Sequence, residues 1–383
     1  MASPQIRFKE FDRDWSEIKI SDHAETVTSG SRDWAQYYSD KGDKFIRMTN
    51  LVRNGIYLDL SDLRFVDLPK DSNEGKRTSL KFGDILISIT AELGKLGWVN
   101  DGLGTAYINQ HTALVRMNEN VDSKFIAYTL STEKYNNKLN NLNDSGAKAG
   151  LNLGTIRSFE LTIPQKEEQT KIASFLSAVD EKISQLTQKH ELLSQYKQGM
   201  MQKLFGQQIR FKADDGSEFG EWENLKFRDV ITIKYGKDHK ALKEGNIPVL
   251  GTGGIMRYVD SYLYDGESIL IGRKGTIDKP QFISGKFWTV DTLFYTEIGE
   301  RLIPKFAYQQ LLLVNWLNLN EATGVPSLNT TSIGNIELKV PYLEEQTKIA
   351  NFLSTIDQKI EVVTQQIEQA KQWKKGLLQQ MFV

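Results

Sequence analysis

A chain of 383 residues exceeds an ordinary single domain, so two domains and a connector are the starting expectation. The absence of cysteine excludes a disulfide framework, a thiolate zinc site and a cysteine nucleophile. A formal net charge of −1 excludes a uniformly basic surface, so any nucleic-acid face has to be local or completed by a partner.

At the amino terminus, Met1 to Glu10 lacks the apolar core of a signal peptide, and no later run approaches the ~18 apolar residues of a membrane span. A cytoplasmic protein is expected. Ile6-Arg7-Phe8-Lys9 then leads to Trp15. From there to about residue 160, short β-like runs alternate with glycine turns, as in Asp84 to Ile89 and Ala113 to Val115. A helical stretch is predicted over Lys124 to Leu142. Lys76-Arg77, the Glu92-Leu93-Gly94-Lys95 loop and the Ser145 to Asn152 loop, which carries Lys148, supply candidate cations.

Leu161 to Phe205 reads as one long helix. Leu176, Val179, Ile183, Leu186, His190, Leu193, Lys197, Met200 and Leu204 follow at alternating steps of three and four, the seam of a coiled coil. Pro164 marks its start, and Glu167-Glu168 suits the positive end of a helix dipole. Gly199 falls inside the pattern at a cost of ~1 kcal/mol relative to alanine, either because helices approach closely there or because one helix ends and a short one follows.

The chain then repeats itself. Ile209-Arg210-Phe211-Lys212 restates Ile6 to Lys9 and leads to Trp222. A second α/β stretch carries Ser268 to Ile271, Thr289 to Tyr295 and a helical run from Pro304 to Leu319. Leu338 to Phe382 matches Leu161 to Phe205 without a gap, with about half the positions identical. Its seam runs through Leu353, Ile356, Ile360, Val363, Ile367, Ala370, Lys374, Leu377 and Met381, with Pro341, Glu344-Glu345 and Gly376 at matching places. The repeat order is nearly circular, so the two termini are expected to lie together.

The predicted fold is therefore mixed α/β (α+β) with a pseudo-twofold repeat, in which two globular domains are separated by two long helices forming an antiparallel coiled coil. The expected boundaries are 1–160, 161–206, 207–337 and 338–383. His190, Lys197 and Lys374 would fix helix register. Phe175, Tyr196, Phe352 and Trp373 are candidate partner anchors, or else packing beneath the globular domains.

Catalytic signatures are missing. There is no P-loop, and His23, His111, His190 and His239 show no metal-ligand spacing. No two prolines adjoin, which excludes the Asn-Pro-Pro-aromatic tetrapeptide that holds the amine of a flipped adenine. Neither a catalytic nor a metal residue is assigned. Two loop families could touch DNA: the loops after the central strands, Glu92 to Lys95 and Gly272 to Thr276, and those before the last strands, Ser145 to Asn152 and Thr323 to Asn329. Arg273 has the fork that reads guanine. The candidate contacts are Lys76, Arg77, Lys95, Lys148, Lys237, His239, Lys240, Arg273, Lys274 and Thr276; singly, each also reads as a turn or a solvated charge.

The block Pro-x-x-Glu-Glu-Gln-x-x-Ile-Ala-x-Phe-Leu, at Pro164 to Leu176 and again at Pro341 to Leu353, resembles the specificity subunits of type I restriction–modification enzymes. The Lys-x-Gly-x-x-Gln-x-x-Phe element at Lys197 to Phe205 and Lys374 to Phe382 is similar to the same family, as is Gly83 to Ser88. The resemblance implies a DNA sequence-specificity subunit with two target recognition domains, each reading half of a split, asymmetric site in double-stranded DNA. It implies modification subunits, two of them, that methylate adenine with S-adenosylmethionine, and restriction subunits acting as motor and nuclease with ATP and Mg. No cofactor is expected on this chain. The alternative is a coiled-coil scaffold with two protein-binding heads, which the near-neutral charge favours.

Overall fold

The computed structural model describes residues 4–69, 75–142 and 150–383. The chain forms two compact units, Met1–Gln185 with Ile367–Val383, and Leu186–Gln366. Each is built on the same plan.

In the first unit, strands Ala24–Ser29, Thr112–Met117, Ile85–Ser88 and Leu96–Trp98 form an antiparallel sheet in that order. Ile85, Leu86, Ile87 and Ser88 are all buried, which the period of two explains once both faces are covered. Ile85 and Ile87 join Ala113, Val115, Phe125 and Leu176 in a helix-side core. Leu86 and Leu114 turn the other way, into a core with Ile46, Ala106 and Ile108 of the second sheet. That second sheet has the order Tyr38–Ser39, Arg64–Val66, Asp43–Ile46, Ala106–Ile108.

The second unit repeats the arrangement with Ile231–Tyr235, Leu293–Ile298, Ser268–Gly272 and Gln281–Ile283. Ile269, Ile271 and Phe294 face the helix-side core, while Leu270, Leu293 and Tyr295 face the other. Gly30 and Gly236 fill corresponding corners. A Cβ on either would lie 2.0 Å from a carbonyl oxygen, that of Ile108 or Val290, so only glycine lets the chains pass.

Three predicted runs are broken. The expected strand Thr289 to Tyr295 is two strands of different sheets, Lys286–Thr289 and Leu293–Ile298, because the chain turns at Val290 to Thr292. The stretch Lys124 to Leu142 is two helices, Ser123–Ser131 and Glu133–Asn141, with Thr132 in extended geometry between them. Likewise the helix Pro304–Leu311 is followed by a separate 3₁₀ turn, Trp316–Leu319.

The repeated blocks form uninterrupted helices, Lys166–Phe205 and Leu343–Gln380. All the seam residues named above are buried or half-buried. Lys374 pairs with Asp180 at 2.5 Å in the first unit and Lys197 with Asp357 at 2.6 Å in the second. As the number rises along one helix it falls along its partner, so the helices run antiparallel. Neither reading of Gly199 and Gly376 holds. The helices continue through both, and an added Cβ would meet nothing within 4 Å at Gly199 and only Gln380 Nε2, at 4.0 Å, at Gly376.

The Glu-Glu-Gln triplet has a sharper role than dipole compensation. Glu168 and Glu345 are buried, and each takes a two-pronged bond from the arginine of an Ile-Arg-Phe segment, Arg7 at 2.8 and 2.7 Å and Arg210 at 3.0 and 2.7 Å. Gln169 donates to Pro164 O at 2.8 Å and accepts from Asp122 N at 2.9 Å; Gln346 repeats this with Pro341 O and Ile303 N, both at 2.8 Å. The triplet therefore ties the incoming arm, the turn before the helix and the head helix together. Ile209 N donates to Lys203 O at 3.4 Å within continuous chain, and Ile6 N donates to Gln380 O at 3.0 Å across the chain ends. The expected proximity of the ends is thus seen in the first unit.

Candidate nucleic-acid interface

In the second unit, four segments gather at one end of the central sheet. Gly236 N donates to Leu293 O at 3.1 Å and Lys237 N to Thr289 O at 2.8 Å, seating the Lys237 to Lys240 loop beside the Val290 to Thr292 turn. Arg273 N and Lys274 N reach Thr292 O at 2.8 and 3.3 Å, and Gly275 N reaches Pro326 O at 2.9 Å. Leu328 N closes onto Arg273 O at 3.0 Å. The two loop families therefore meet. A concavity of about 610 Å³ opens there, lined by Asp238, His239, Lys240, Thr252, Asp291 and Thr292 among others.

Arg273 is half-buried, with its guanidinium 5.4 Å from the exposed Tyr235 ring and Nη1 3.3 Å from Asp291 O. This holds the fork at the rim. Lys237, Lys240, Lys274 and Thr276 are exposed, whereas His239 is half-buried with Nδ1 unpartnered among the described residues. Asp238 accepts from Lys240 N at 3.1 Å; this backbone bond draws its carboxyl below the ordinary range and shapes the loop. The structure brings Lys237, His239, Lys240, Arg273, Lys274 and Thr276 to one end of one head.

The first unit differs. Arg77 folds back onto the end of strand Ala24–Ser29, donating to Thr28 Oγ1 and, at 3.3 Å, to Ser29 O. Lys76 is exposed beside it on the turn Lys76–Thr78. Lys95 lies elsewhere, in a tight turn where its N–H donates to Ser88 Oγ at 2.8 Å and its ammonium pairs with Glu92 at 2.5 Å. This corrects the loop pairing read from sequence. Leu151 N to Ile89 O (3.0 Å) matches Leu328 N to Arg273 O, so Ile89 to Glu92, and not Glu92 to Lys95, corresponds to Arg273 to Thr276. Lys148 lies outside the described residues.

Sequence reasoning missed Thr90, Gln110 and His111. Thr90 Oγ1 lies 2.8 Å from His111 Nδ1, and Gln110 Nε2 lies 3.0 Å from His111 Nε2. Their only signal was a histidine after a strand. Of the aromatic anchors, Phe175 packs edge-on against Phe8 at 5.8 Å and Phe352 against Phe211 at 5.8 Å, beneath the Ile-Arg-Phe arms. Tyr196 and Trp373, at matching places, are about half exposed, 52% and 54%. No helix of the described residues is long and apolar enough to cross a membrane.

A duplicated frame holding two unlike loop clusters defines a class, and comparison with known proteins identifies it. The family model described as "Type I restriction modification DNA specificity domain" matches residues 12–195 and 220–372, and the chain belongs to that family. Among relatives, the type I restriction enzyme MjaVIII specificity subunit of Methanocaldococcus jannaschii is 28% identical over 262 residues, 58% of this chain and 60% of that one. The match thus spans about three fifths of that relative. A second chain from the same organism, bearing the name of a type I MjaX specificity subunit, is 26% identical over 414 aligned residues, 96% of this chain and 93% of that one. The crystal structure of a type I restriction–modification S subunit from M. genitalium shares the fold, with a TM-score of 0.71, 15% identity and coverage of 100% and 99% of the two chains.

Proposed function

We propose that this chain is the DNA-reading subunit of a type I restriction–modification complex, with no reaction centre of its own. Each head reads one half of an asymmetric site in double-stranded DNA, and the long helices set the unread gap. The observation that carries this reading is a frame written twice, with matching arginine–glutamate and glutamine bonds, around loop clusters that differ. A repeated frame with unlike loops suits two readers of two different sequences on one duplex.

The partners in this proposal are modification subunits, two per chain, that bring S-adenosylmethionine, and restriction subunits that bring ATP and Mg, all in the cytoplasm. With a net charge of −1, much of the phosphate grip falls to those partners. The same charge favours the rival reading, a scaffold whose heads bind proteins. Methylation mapping in a host with and without this chain tests the pair: a split motif that vanishes with the chain supports the proposal, and an unchanged methylome supports the scaffold. The spacer has its own check. Inserting one heptad into both helices adds about 10 Å, and is expected to lengthen the unread gap by about three base pairs. A gap of unchanged length would reject the spacer role.

A further inference from the structure

The two heads carry their polar groups on different parts of a shared scaffold, and what this implies rests on the DNA-reading role proposed above. Ile89 N donates to His111 O at 3.0 Å just as Arg273 N donates to Thr292 O at 2.8 Å. Two positions after each stands a left-handed residue, Ala91 at φ 58° and Gly275 at φ 91°. Left-handed geometry is costly for an L-residue, so Ala91 holds the loop shape against strain where the other head uses glycine. The loop Ile89-Thr90-Ala91 thus corresponds to Arg273-Lys274-Gly275, and the turn Asn109-Gln110-His111 to Val290-Asp291-Thr292.

The chemistry on this scaffold is exchanged between loop and turn. In the second head the loop carries the cations Arg273 and Lys274, while the turn carries Asp291. In the first head the loop carries Ile89, which is buried, and the turn carries half-buried Gln110 and His111. Both ring nitrogens of His111 are engaged, one by Thr90 and one by the Gln110 amide. The Gln110 carboxamide is therefore oriented, and its Oε1 has no partner among the described residues.

We propose that the first head reads an A·T pair in its half-site through Gln110, held in place by His111 and Thr90, whereas the second head reads a G·C pair through Arg273. A carboxamide offers one donor and one acceptor, matching the N7 and N6 edge of adenine, while a guanidinium offers two donors to O6 and N7 of guanine. His111 acts as a positioning residue.

The test uses the chain assembled with its modification subunits, with methylome sequencing and binding to single-base variants of the mapped site as readouts. Gln110→Ala is expected to relax one A·T position in one half-site by roughly 10–100-fold in discrimination, leaving the other half unchanged. Arg273→Ala is expected to relax one G·C position in the opposite half. His111→Ala relaxes the same position as Gln110→Ala, and His111→Asn partly restores it. Gln110→Glu shifts that position towards cytosine, a gain that misfolding cannot produce. An unchanged motif for Gln110→Ala, relaxation in both halves, or a G·C pair at the affected position overturns the inference. A wild-type complex indifferent to sequence overturns instead the reading role on which it rests, and the inference with it.

Discussion

Glu345 accepts from Arg210 through both prongs and from Trp222 Nε1 at 3.1 Å, whereas among the described residues the side-chain bonds to Glu168 come from Arg7 alone. Removing either carboxylate leaves a half-buried guanidinium without its partner, at a cost of about 3 kcal/mol. Glu345→Ala is expected to cost about 1 kcal/mol more than Glu168→Ala, because an indole N–H is orphaned as well. Urea unfolding of the two variants gives the comparison; equal losses would contradict it. Gly199 and Gly376 predict the opposite sign. Their surroundings are open within the chain, so alanine at either should stabilise by about 0.5–1 kcal/mol through helix propensity. A shift of the denaturation midpoint to lower urea would show that the glycines meet something the chain itself does not supply. The residue type at these places was plain in the sequence, but the reasons were not. Burial of Glu168 follows from its arginine partner 161 positions away, which no local pattern reveals.

The junction of head and helix is the next scale. Tyr128 donates to Asp180 at 2.6 Å, and Asp180 also pairs with Lys374 of the other long helix, both side chains being 14% exposed. Burial, then the charge of Asp180, pushes the Tyr128 hydroxyl well above its ordinary value of 10.0. A folded state that keeps this proton while the unfolded chain releases it is stable below about pH 10 and weakens as the pH climbs beyond. Tyr128→Phe should therefore flatten the loss of stability of the first unit between pH 10 and 11, while costing about 1 kcal/mol at neutral pH from the lost bond. An unchanged alkaline slope would assign the sensitivity to other groups. The seams of the long helices were legible because apolar residues at steps of three and four, sustained over many turns, fall on one face of a helix and on no face of a strand. The broken runs were not: at Val290 to Thr292 two apolar fragments abut and only the sheet partners show where the chain turns, while at Thr132 one helix ends and a second, polar one begins with no proline or glycine between them. The loops of the candidate interface were equally hidden, because their correspondence rests on backbone bonds rather than on similar side chains.

For the whole molecule, the matching bonds at Ile6–Gln380 and Ile209–Lys203 mean that one of two equivalent joints is covalent and the other is not. Exchanging them should be tolerated. A permuted chain with Val383 linked to Pro4 through a short flexible segment, and opened between Gln207 and Gln208, is expected to melt within a few degrees of the parent and to direct methylation to the same motif. Failure to fold would show that continuity after Phe205 carries more than its visible bonds.

The first unit is also assembled from both ends of the chain: Phe382 stacks on Phe125 at 5.4 Å, and Leu377 and Met381 complete the core around Trp15. On a ribosome adding roughly 5–20 residues per second, those closing side chains emerge some 10–40 s after Gln185 has been made. The second unit, drawn from one continuous stretch, can finish first although most of the first unit is made before it. Loss of the residues after Gln366 would therefore injure the head begun earliest and leave whole the stretch that makes the other.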